Sequence, residues 1–305
     1  MRTAVIVNPR SEGGRTGRQW AGIGEKLLAR LGPMEVRFTE RPGHGTDLAR
    51  ELVEQGFERL IAAGGDGTIN EVANGMVEGR REVALGILPL GTGGDFRRTL
   101  GVPKGLEAAI EMLAGAVERR IDLGKAVFRG VDGRPQTRYF VNLVSFGMGG
   151  EVASRAKNML TPLGGTAAFL WATLVSFFVF ERKAVRLRVD GEAGRVWEIY
   201  NIAVGNGRFH GGGMQACPTA DLADGVLEVT VIEYLRRWEA IKDLPVLYSD
   251  DVYRHPKVSH LRGTRVMADS EEEVRIEVDG EPVGTLPLEI TVVPGALTVL
   301  ASPHC

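Results

Sequence analysis

Short apolar runs alternate with helical spacings of apolar residues through the first third of the chain. The β-branched run at residues 3–7 predicts a strand, and a helix is predicted where apolar side chains recur on one face, at Trp20, Ile23, Leu27, Leu28 and Leu31. The runs "RLIAAGG" and "VALGILPLG" predict further buried strands, each followed by a helical pattern. Because strands that alternate with helices form right-handed crossovers, this part of the chain predicts an α/β domain with a doubly wound parallel sheet.

The pattern changes after about Asp122, where strand-like runs follow one another with only short turns between them. Examples are "TRYFVNLVSFG", "GVLEVTVIE" and "LEITVVPGALTVL", and several of the turns contain Asp-Gly. Consecutive strands with tight turns predict a β-rich antiparallel domain of sandwich-like or barrel-like form. We therefore expect two domains, at residues 1–124 and 125–295, with residues 296–305 packing back on the first.

Composition excludes several classes of protein. The 305 residues are 44% hydrophobic and 25% charged with a net charge of −2, so the chain can bury a core and has no basic footprint for nucleic acid. Its two cysteines, Cys217 and Cys305, exclude a disulfide scaffold or a zinc cluster and fit a reducing cytosol. The first residues, "MRTAVIVNPR", lack the cleavage region of a signal peptide, and we expect a cytoplasmic protein.

A glycine-rich turn at residues 64–68, "GGDGT", lies between a predicted strand and a helix predicted to begin near Thr68. Glycine lets the backbone approach a ligand closely, and a helix N-terminus attracts phosphate. Asp66 would repel a phosphate unless Mg²⁺ lay between them or the carboxylate took a proton from an attacking hydroxyl. The alternative is a plain tight turn in which Asp66 or Thr68 caps the helix.

Two more loops have the same character. "LPLGTGGDFRR" combines a strand, glycines and an aspartate with a short helix predicted from Asp95, and "VNPRSEGG" places a turn directly after the first strand. Three such loops after three parallel strands would lie at the edge of the sheet where ligands bind. Neither G-x-G-x-x-G nor G-x-x-x-x-G-K-[ST] occurs in them, so the site is predicted to bind phosphate without being that of a dehydrogenase or a P-loop enzyme.

Five segments together resemble the bacterial diacylglycerol kinase-like lipid kinases, relatives of sphingosine kinases and, more distantly, of NAD kinases and phosphofructokinases. In family order they are "NPRSEGG", "GGDGTINEVANG", "GILPLGTGGDF", "GNGRFHGGGMQACPTADLADGVLEV" and "EVDGEP", and they span nearly the whole chain. GGDGT is shared across the superfamily, whereas the block that begins "GNGR" points to the lipid kinases.

The resemblance implies a Rossmann-like nucleotide domain and a β-rich domain, with ATP in the cleft between them and a lipid hydroxyl as the acceptor. Mg²⁺ is the implied cofactor beside ATP. The Asp66 carboxylate would interact with the ATP phosphates through this ion. By similarity, the nucleotide contacts fall on Asn8, Pro9, Arg10, Ser11, Glu12, Thr39, Gly64, Gly65, Asp66, Gly67, Thr68, Ile69, Asn70 and Thr92.

The resemblance also assigns carboxylates in the second half of the chain. The family's DGE turn includes the general base; here the turn supplies Asp279 and Glu281, and we favour Glu281. Without the resemblance, this segment would be an Asp-Gly hairpin with an exposed glutamate. The family's structural Mg²⁺ maps to Asp221, Asp224 and the carbonyl of Val226, and an ordinary turn before a strand is the alternative.

Two positions depart from the family pattern. Gly94 stands where the family usually has Asn, which removes a side chain able to hydrogen-bond the nucleotide. Glu12 lies in the first loop, where a carboxylate near phosphate is unfavourable unless it points to solvent. Neither change removes an acid or a base, so we expect catalysis. Gly94 keeps open a non-catalytic lipid- or nucleotide-binding protein, and an NAD kinase-like small-molecule kinase is the other alternative.

The uncharged stretch at residues 163–180 has 18 residues, at the lower edge of what spans a bilayer. A single crossing would separate the "GNGR" and "DGE" blocks from the ATP loops, so we reject a span. A buried helix and a lipid-facing helix are both open, the second because basic residues flank the stretch: Arg155, Lys157, Arg182 and Lys183. The expected partners are a lipid substrate, a peripheral membrane surface at the inner face and, through an exposed sheet edge, a second copy in a homodimer.

Overall fold

The structure, a computed structural model, describes residues 1–79, 81–158, 175–176, 179–236, 239, 246, 249 and 251–303. It divides into two compact units, Met1–Ile121 with the residues from Gly295 onward, and Asp122–Pro294. Most of the uncharged stretch at 163–180, for which a buried or a lipid-facing helix is predicted, lies outside the described residues. Among the helices that are described, none is long and apolar enough to cross a membrane.

The first unit alternates strands and helices. Its elements are β1 (Thr3–Val7), α1 (Ser11–Leu31), β2 (Glu35–Phe38), α2 (His44–Glu54), β3 (Arg59–Gly64), α3 (Asp66–Glu78), β4 (Ala84–Pro89), α4 (Asp95–Thr99) and α5 (Leu106–Ala114). β1, β3 and β4 are continuous runs of buried residues, as parallel strands with two covered faces are. Among the helices, α1 contacts α5 and α2 contacts α3.

Strands β1 to β4 pair in parallel, in the order β2-β1-β3-β4. The last residues of the chain's final strand extend the sheet beyond β4, where Thr298 pairs with Ala84 and Val299 with Leu85, again in parallel. The carboxyl ends of β1, β3 and β4 therefore lie along one edge of the sheet. The three loops with predicted phosphate contacts begin at this edge.

Helix α1 buries a narrower face than its apolar spacing predicts. Ile23 and Leu27 are buried, but Leu28 is 53% exposed, so only part of the predicted apolar face is buried. Successive helical residues are rotated by about 100°, and Leu28 therefore points away from the side on which its neighbour Leu27 packs.

The second unit is dominated by antiparallel strands. The elements that enter or form it are β5 (Val117–Gly130), β6 (Pro135–Phe140), β7 (Leu143–Gly147), α6 (Met148–Asn158), β8 (Lys183–Val189), β9 (Arg195–Gly205), β10 (Leu227–Glu233), β11 (Val258–Gly263), β12 (Arg265–Asp269), β13 (Arg275–Val278) and β14 (Glu281–Ala301). Six of the strands close on themselves, each pairing antiparallel with the next in the order β7-β9-β8-β12-β14-β13 and back to β7. The fold thus has the β-rich, sandwich-like character that the turn spacing predicts.

Two different faces are buried in this unit. Alternate residues of β7, β9, β10 and β13 contribute apolar side chains to one core, for example Val229 and Ile276. On β7, β10 and β13 the residues between them face the other way and include buried polar side chains: Ser145, Glu228, Thr230 and Glu277. Helix α6 packs on β7 and β13, and the segment that carries Cys217 and Ala220 packs on β9 at Ala203. The polar face is therefore covered by chain segments.

Candidate active site

Three loops meet at the carboxyl edge of the first unit's parallel sheet. The loop after β1 contacts the segment after β3: Asn8 Nδ2 donates a hydrogen bond to Thr68 Oγ1, in the first turn of α3, at 3.1 Å. The loop after β3 also contacts the loop after β4, because the Leu90 N–H donates to the Gly64 carbonyl at 2.9 Å. The three loops identified from their glycines are therefore side by side.

The Asp66 carboxylate holds the loop after β4 in place. Its Oδ2 accepts the N–H groups of Gly94 at 2.7 Å and Asp95 at 3.3 Å, and its Oδ1 accepts that of Phe96 at 3.2 Å. These amides begin α4, so Asp66 caps a neighbouring helix, while α3 itself has no side-chain cap. Burial raises the pKa of Asp66 and the nearby Asp95 adds to the rise, whereas the three N–H groups oppose it.

Glu71, further along α3, holds the loop after β2. Its Oε1 accepts the Gly43 N–H at 2.7 Å and its Oε2 accepts the Gly45 N–H at 2.9 Å. Helix α3 thus contacts all three neighbouring loops, through Thr68, Asp66 and Glu71. Sequence reasoning missed Glu71, which stands three residues after the end of the glycine turn in "GGDGTINE".

At two positions, the geometry of the backbone accounts for the presence of glycine. A Cβ on Gly91 would lie 2.4 Å from Gly65 Cα, so the loops after β3 and β4 touch where neither has a side chain. Gly94 has a φ of +68°, in the left-handed region that Gly and Asn adopt most readily. Replacing the family's usual Asn by Gly is therefore compatible with this backbone conformation.

The loop after β1 enters α1 through a left-handed segment. Glu12, Gly13 and Gly14 have φ angles of 50°, 63° and 84°, so regular helix begins only after them. The exposed Glu12 carboxylate lies 3.8 Å from Arg15 Nη1. The Glu12 carboxylate is thus accessible to solvent and lies beside a basic side chain.

The other predicted nucleotide contacts differ in accessibility. Five are exposed or partly exposed: Asn8, Pro9, Arg10, Ser11 and Thr92. Three are buried: Thr39, Ile69 and Asn70. Asn70 packs within α3, where Asn74 Nδ2 donates to its backbone oxygen at 2.9 Å. Ile69 and Asn70 therefore belong to the packed body of the helix rather than to its accessible first turn.

In the second unit, the DGE turn begins with a buried aspartate. Asp279 has a φ of +46° and is 7% exposed. Its carboxylate accepts three backbone N–H groups, from Val141 at 3.0 Å, Asn142 at 3.1 Å and Leu143 at 2.9 Å. The Asp279 N–H in turn donates to the Leu143 carbonyl at 2.9 Å. Asp279 therefore fixes the turn against the chain segment that enters β7.

The second carboxylate of the turn has a different environment. Glu281 is the first residue of β14 and pairs with Val278 across the hairpin. It is partly exposed, whereas Asp279 is buried. The two acidic residues of one turn thus differ in burial.

An arginine pairs with one carboxylate of the turn that is predicted to hold a structural Mg²⁺. Asp224 Oδ1 accepts the Val226 N–H at 3.0 Å, and its Oδ2 pairs with Arg262 Nη2 at 2.6 Å. Asp221 Oδ1 accepts the Ala223 N–H at 3.0 Å. Across the described parts of the chain, no cluster of three or more His, Cys, Asp or Glu side chains suits a metal ion. The predicted set combines two carboxylates with the Val226 carbonyl, and Mg²⁺ at this turn stays a prediction.

Comparison with known proteins identifies the family. Residues 2–126 match the family model described as the diacylglycerol kinase catalytic domain. Residues 142–301 match the one described as the YegS C-terminal NAD kinase beta sandwich-like domain. The chain therefore belongs to the YegS-like, diacylglycerol kinase-related family of lipid kinases.

Relatives of known name extend over nearly the whole chain. It is 34% identical over 278 residues to a protein of Chromohalobacter salexigens named "Probable lipid kinase YegS-like", covering 89% of this chain and 84% of the relative. It is 31% identical to "Probable lipid kinase YegS" of Salmonella arizonae, covering 89% and 87%. A solved structure, "a putative diacylglycerol kinase from Bacillus anthracis str. Sterne", is 25% identical with a TM-score of 0.78 and coverage of 99% and 98%.

Proposed function

We propose that this lipid kinase transfers the γ-phosphate of ATP to the hydroxyl of diacylglycerol or a related membrane lipid. In this proposal the first unit is a Rossmann-like nucleotide domain. Its three adjoining loops present glycine backbone and the N-terminus of α3, which are suited to phosphate. The β-rich second unit binds the lipid, which the protein meets at a membrane surface. Family membership supports the activity.

The observation that carries the proposed mechanism is the contrast within the DGE turn. The oxygens of Asp279 are directed at three backbone N–H groups, whereas Glu281 is partly exposed at the start of β14. Glu281 is accordingly the general base. It takes the proton of the lipid hydroxyl as that oxygen attacks the γ-phosphorus, the bond to the bridging oxygen breaks, and ADP leaves.

The chain's other residues bind and orient the nucleotide. The backbone N–H groups of residues 64–68 face the phosphates in this proposal, and Asp66 keeps the loop after β4 in position beside them. ATP would be used as its Mg²⁺ complex, and the ion would neutralise part of the negative charge on the phosphate oxygens.

The test is transfer of labelled γ-phosphate from Mg·ATP to acceptors supplied in parallel: a total bacterial lipid extract, NAD, and buffer alone. We expect a new labelled lipid with the wild type and none with Glu281→Gln, and mass spectrometry of that lipid names the acceptor. Label on NAD instead would make the protein a small-molecule kinase. ATP binding without transfer to any acceptor would make it a non-catalytic member of the family.

A further inference from the structure

Asn142 joins two segments beside the DGE turn. Its backbone N–H donates to Asp279 Oδ1 at 3.1 Å. Its carbonyl accepts the N–H groups of Asn206 at 2.8 Å and Gly207 at 2.7 Å. Its side-chain Nδ2 donates to the Phe209 carbonyl at 2.7 Å. One buried residue thus links the aspartate of the turn to the loop that carries "GNGRFHGGGM".

A contact between a buried carboxylate and a histidine links the same two segments a second time. Glu277 lies on β13, two residues before Asp279, and is 0% exposed. Its Oε1 lies 3.2 Å from Nε2 of His210, the residue that follows Phe209. The contacts therefore close a ring: from Asp279 along β13 to Glu277, across to His210, along the loop to Phe209, and back through Asn142.

A closed ring of this kind constrains the position of the turn. A carboxylate buried as completely as that of Glu277 is tolerated only with a charged or hydrogen-bonding partner, so the pair with His210 is costly to open. Neither β13 nor the loop can shift without breaking one of the two links. Glu281 follows Asp279 by two residues, and any shift of the turn is passed directly to its carboxylate.

We propose that Asn142, His210 and Glu277 are positioning residues that fix Glu281 for proton transfer. The inference rests on the proposed function, in which Glu281 is the base. Catalytic geometry is sensitive enough for such residues to matter, since a displacement of about 1 Å can lower a rate by about 10²-fold. The three residues touch neither ATP nor lipid in this account and act only through the position of the turn.

A second buried pair on the same face of the sheet provides a matched control. Glu228 on β10 is 1% exposed and is paired with His260 on β11. In the strand order, β9 and β7 separate β10 from β13. Glu228 Oε1 also lies 2.8 Å from Arg262 Nε, and Glu228→Gln perturbs this second buried carboxylate, which β9 and β7 separate from β13.

The experiment compares Glu277→Gln, His210→Gln and Glu228→Gln in the full chain, with Mg·ATP and the lipid that becomes labelled in the extract. For the first two we expect kcat to fall by about 10-fold to 10²-fold while KM for ATP changes by less than about twofold. We expect the N–H groups of Val141, Asn142 and Leu143 to exchange faster with deuterium in these variants. Glu228→Gln should keep the wild-type kcat and the wild-type exchange at residues 141–143.

Other results would overturn the inference. Wild-type kcat in folded Glu277→Gln and His210→Gln, with Glu281→Gln inactive, would refute the positioning role and leave the proposed function intact. Equal losses in Glu277→Gln and Glu228→Gln would show a general effect of perturbing the sheet. A wild type that phosphorylates no lipid would refute both. Should Glu277→Gln fail to fold, His210→Gln applies the same test from the other side of the pair.

Discussion

Asp66 and Asp279, in different units, have the same structural task. Each carboxylate accepts three backbone N–H groups from another loop, which would otherwise be left without partners at the start of a helix or in a bend. Sequence reasoning found both aspartates and assigned them chemistry. It missed their backbone partners because these lie 28–30 residues from Asp66 and 136–138 residues from Asp279 along the chain. Only the folded structure brings residues so far apart in sequence into contact.

Replacing Asp66 tests its role in holding the loop after β4. Asp66→Ala leaves the three N–H groups at the start of α4 without their acceptor, which costs about 1–3 kcal/mol for a buried donor. We expect a folded protein with a lower melting temperature and weaker ATP binding, both measurable by thermal shift and calorimetric titration. Asp47→Ala, which removes exposed ion pairs on α2, should change neither appreciably. Unchanged ATP affinity in Asp66→Ala would contradict the role.

At the scale of elements, the sequence was informative where a local rule applies. The Asp-Gly signal predicts the hairpin before β14, and Asp279 and Gly280 have the positive φ angles, 46° and 84°, that such a turn requires. It was uninformative where the outcome depends on neighbours. Apolar spacing could not show that Leu28 faces solvent, nor that α1 begins with left-handed residues, because both depend on what packs against the helix.

Gly91→Ala tests the close approach of two loops. The added methyl would meet the Gly65 backbone at 2.4 Å, so the loops after β3 and β4 must separate and the phosphate site should lose its shape. We expect weaker ATP binding and a lower melting temperature. Gly22→Ala is the matched control: its Cβ would meet nothing within 4 Å, and inside α1 it should stabilise by about 0.5–1 kcal/mol. Wild-type ATP affinity in Gly91→Ala would refute the close approach.

For the whole molecule, the sequence predicts an α/β part followed by a β-rich part, but it does not predict which strands pair. Alternation of strands and helices indicates the parallel sheet, and the run of short turns indicates the β-rich unit. The ring of six antiparallel strands closes through β8, β12 and β14, which are far apart in the chain. No local sequence pattern predicts such pairings. Strand β14 begins in the second unit, and from Gly295 onward its residues belong to the first.

The end of β14 is therefore expected to stabilise the first unit. Leu300 is fully buried, and Leu300→Ala should destabilise by about 2–5 kcal/mol, as other large-to-small core changes do. Hydrogen exchange in β4 should speed up accordingly. Leu28→Ala, at a position 53% exposed, is the matched control and should leave β4 unchanged. Equal exchange in the two variants would show that β14 does not support the first unit.

The central claim is that one carboxylate of the DGE turn reacts while the other holds the turn in place. Its most direct test is the single-turnover rate of phosphate transfer from Mg·ATP to the lipid, measured for the wild type and Glu281→Gln together with the melting temperature of each. We expect a rate lower by about 10²-fold to 10⁴-fold at an unchanged melting temperature, as for the loss of a general base. A folded Glu281→Gln variant that transfers phosphate at the wild-type rate would contradict the claim.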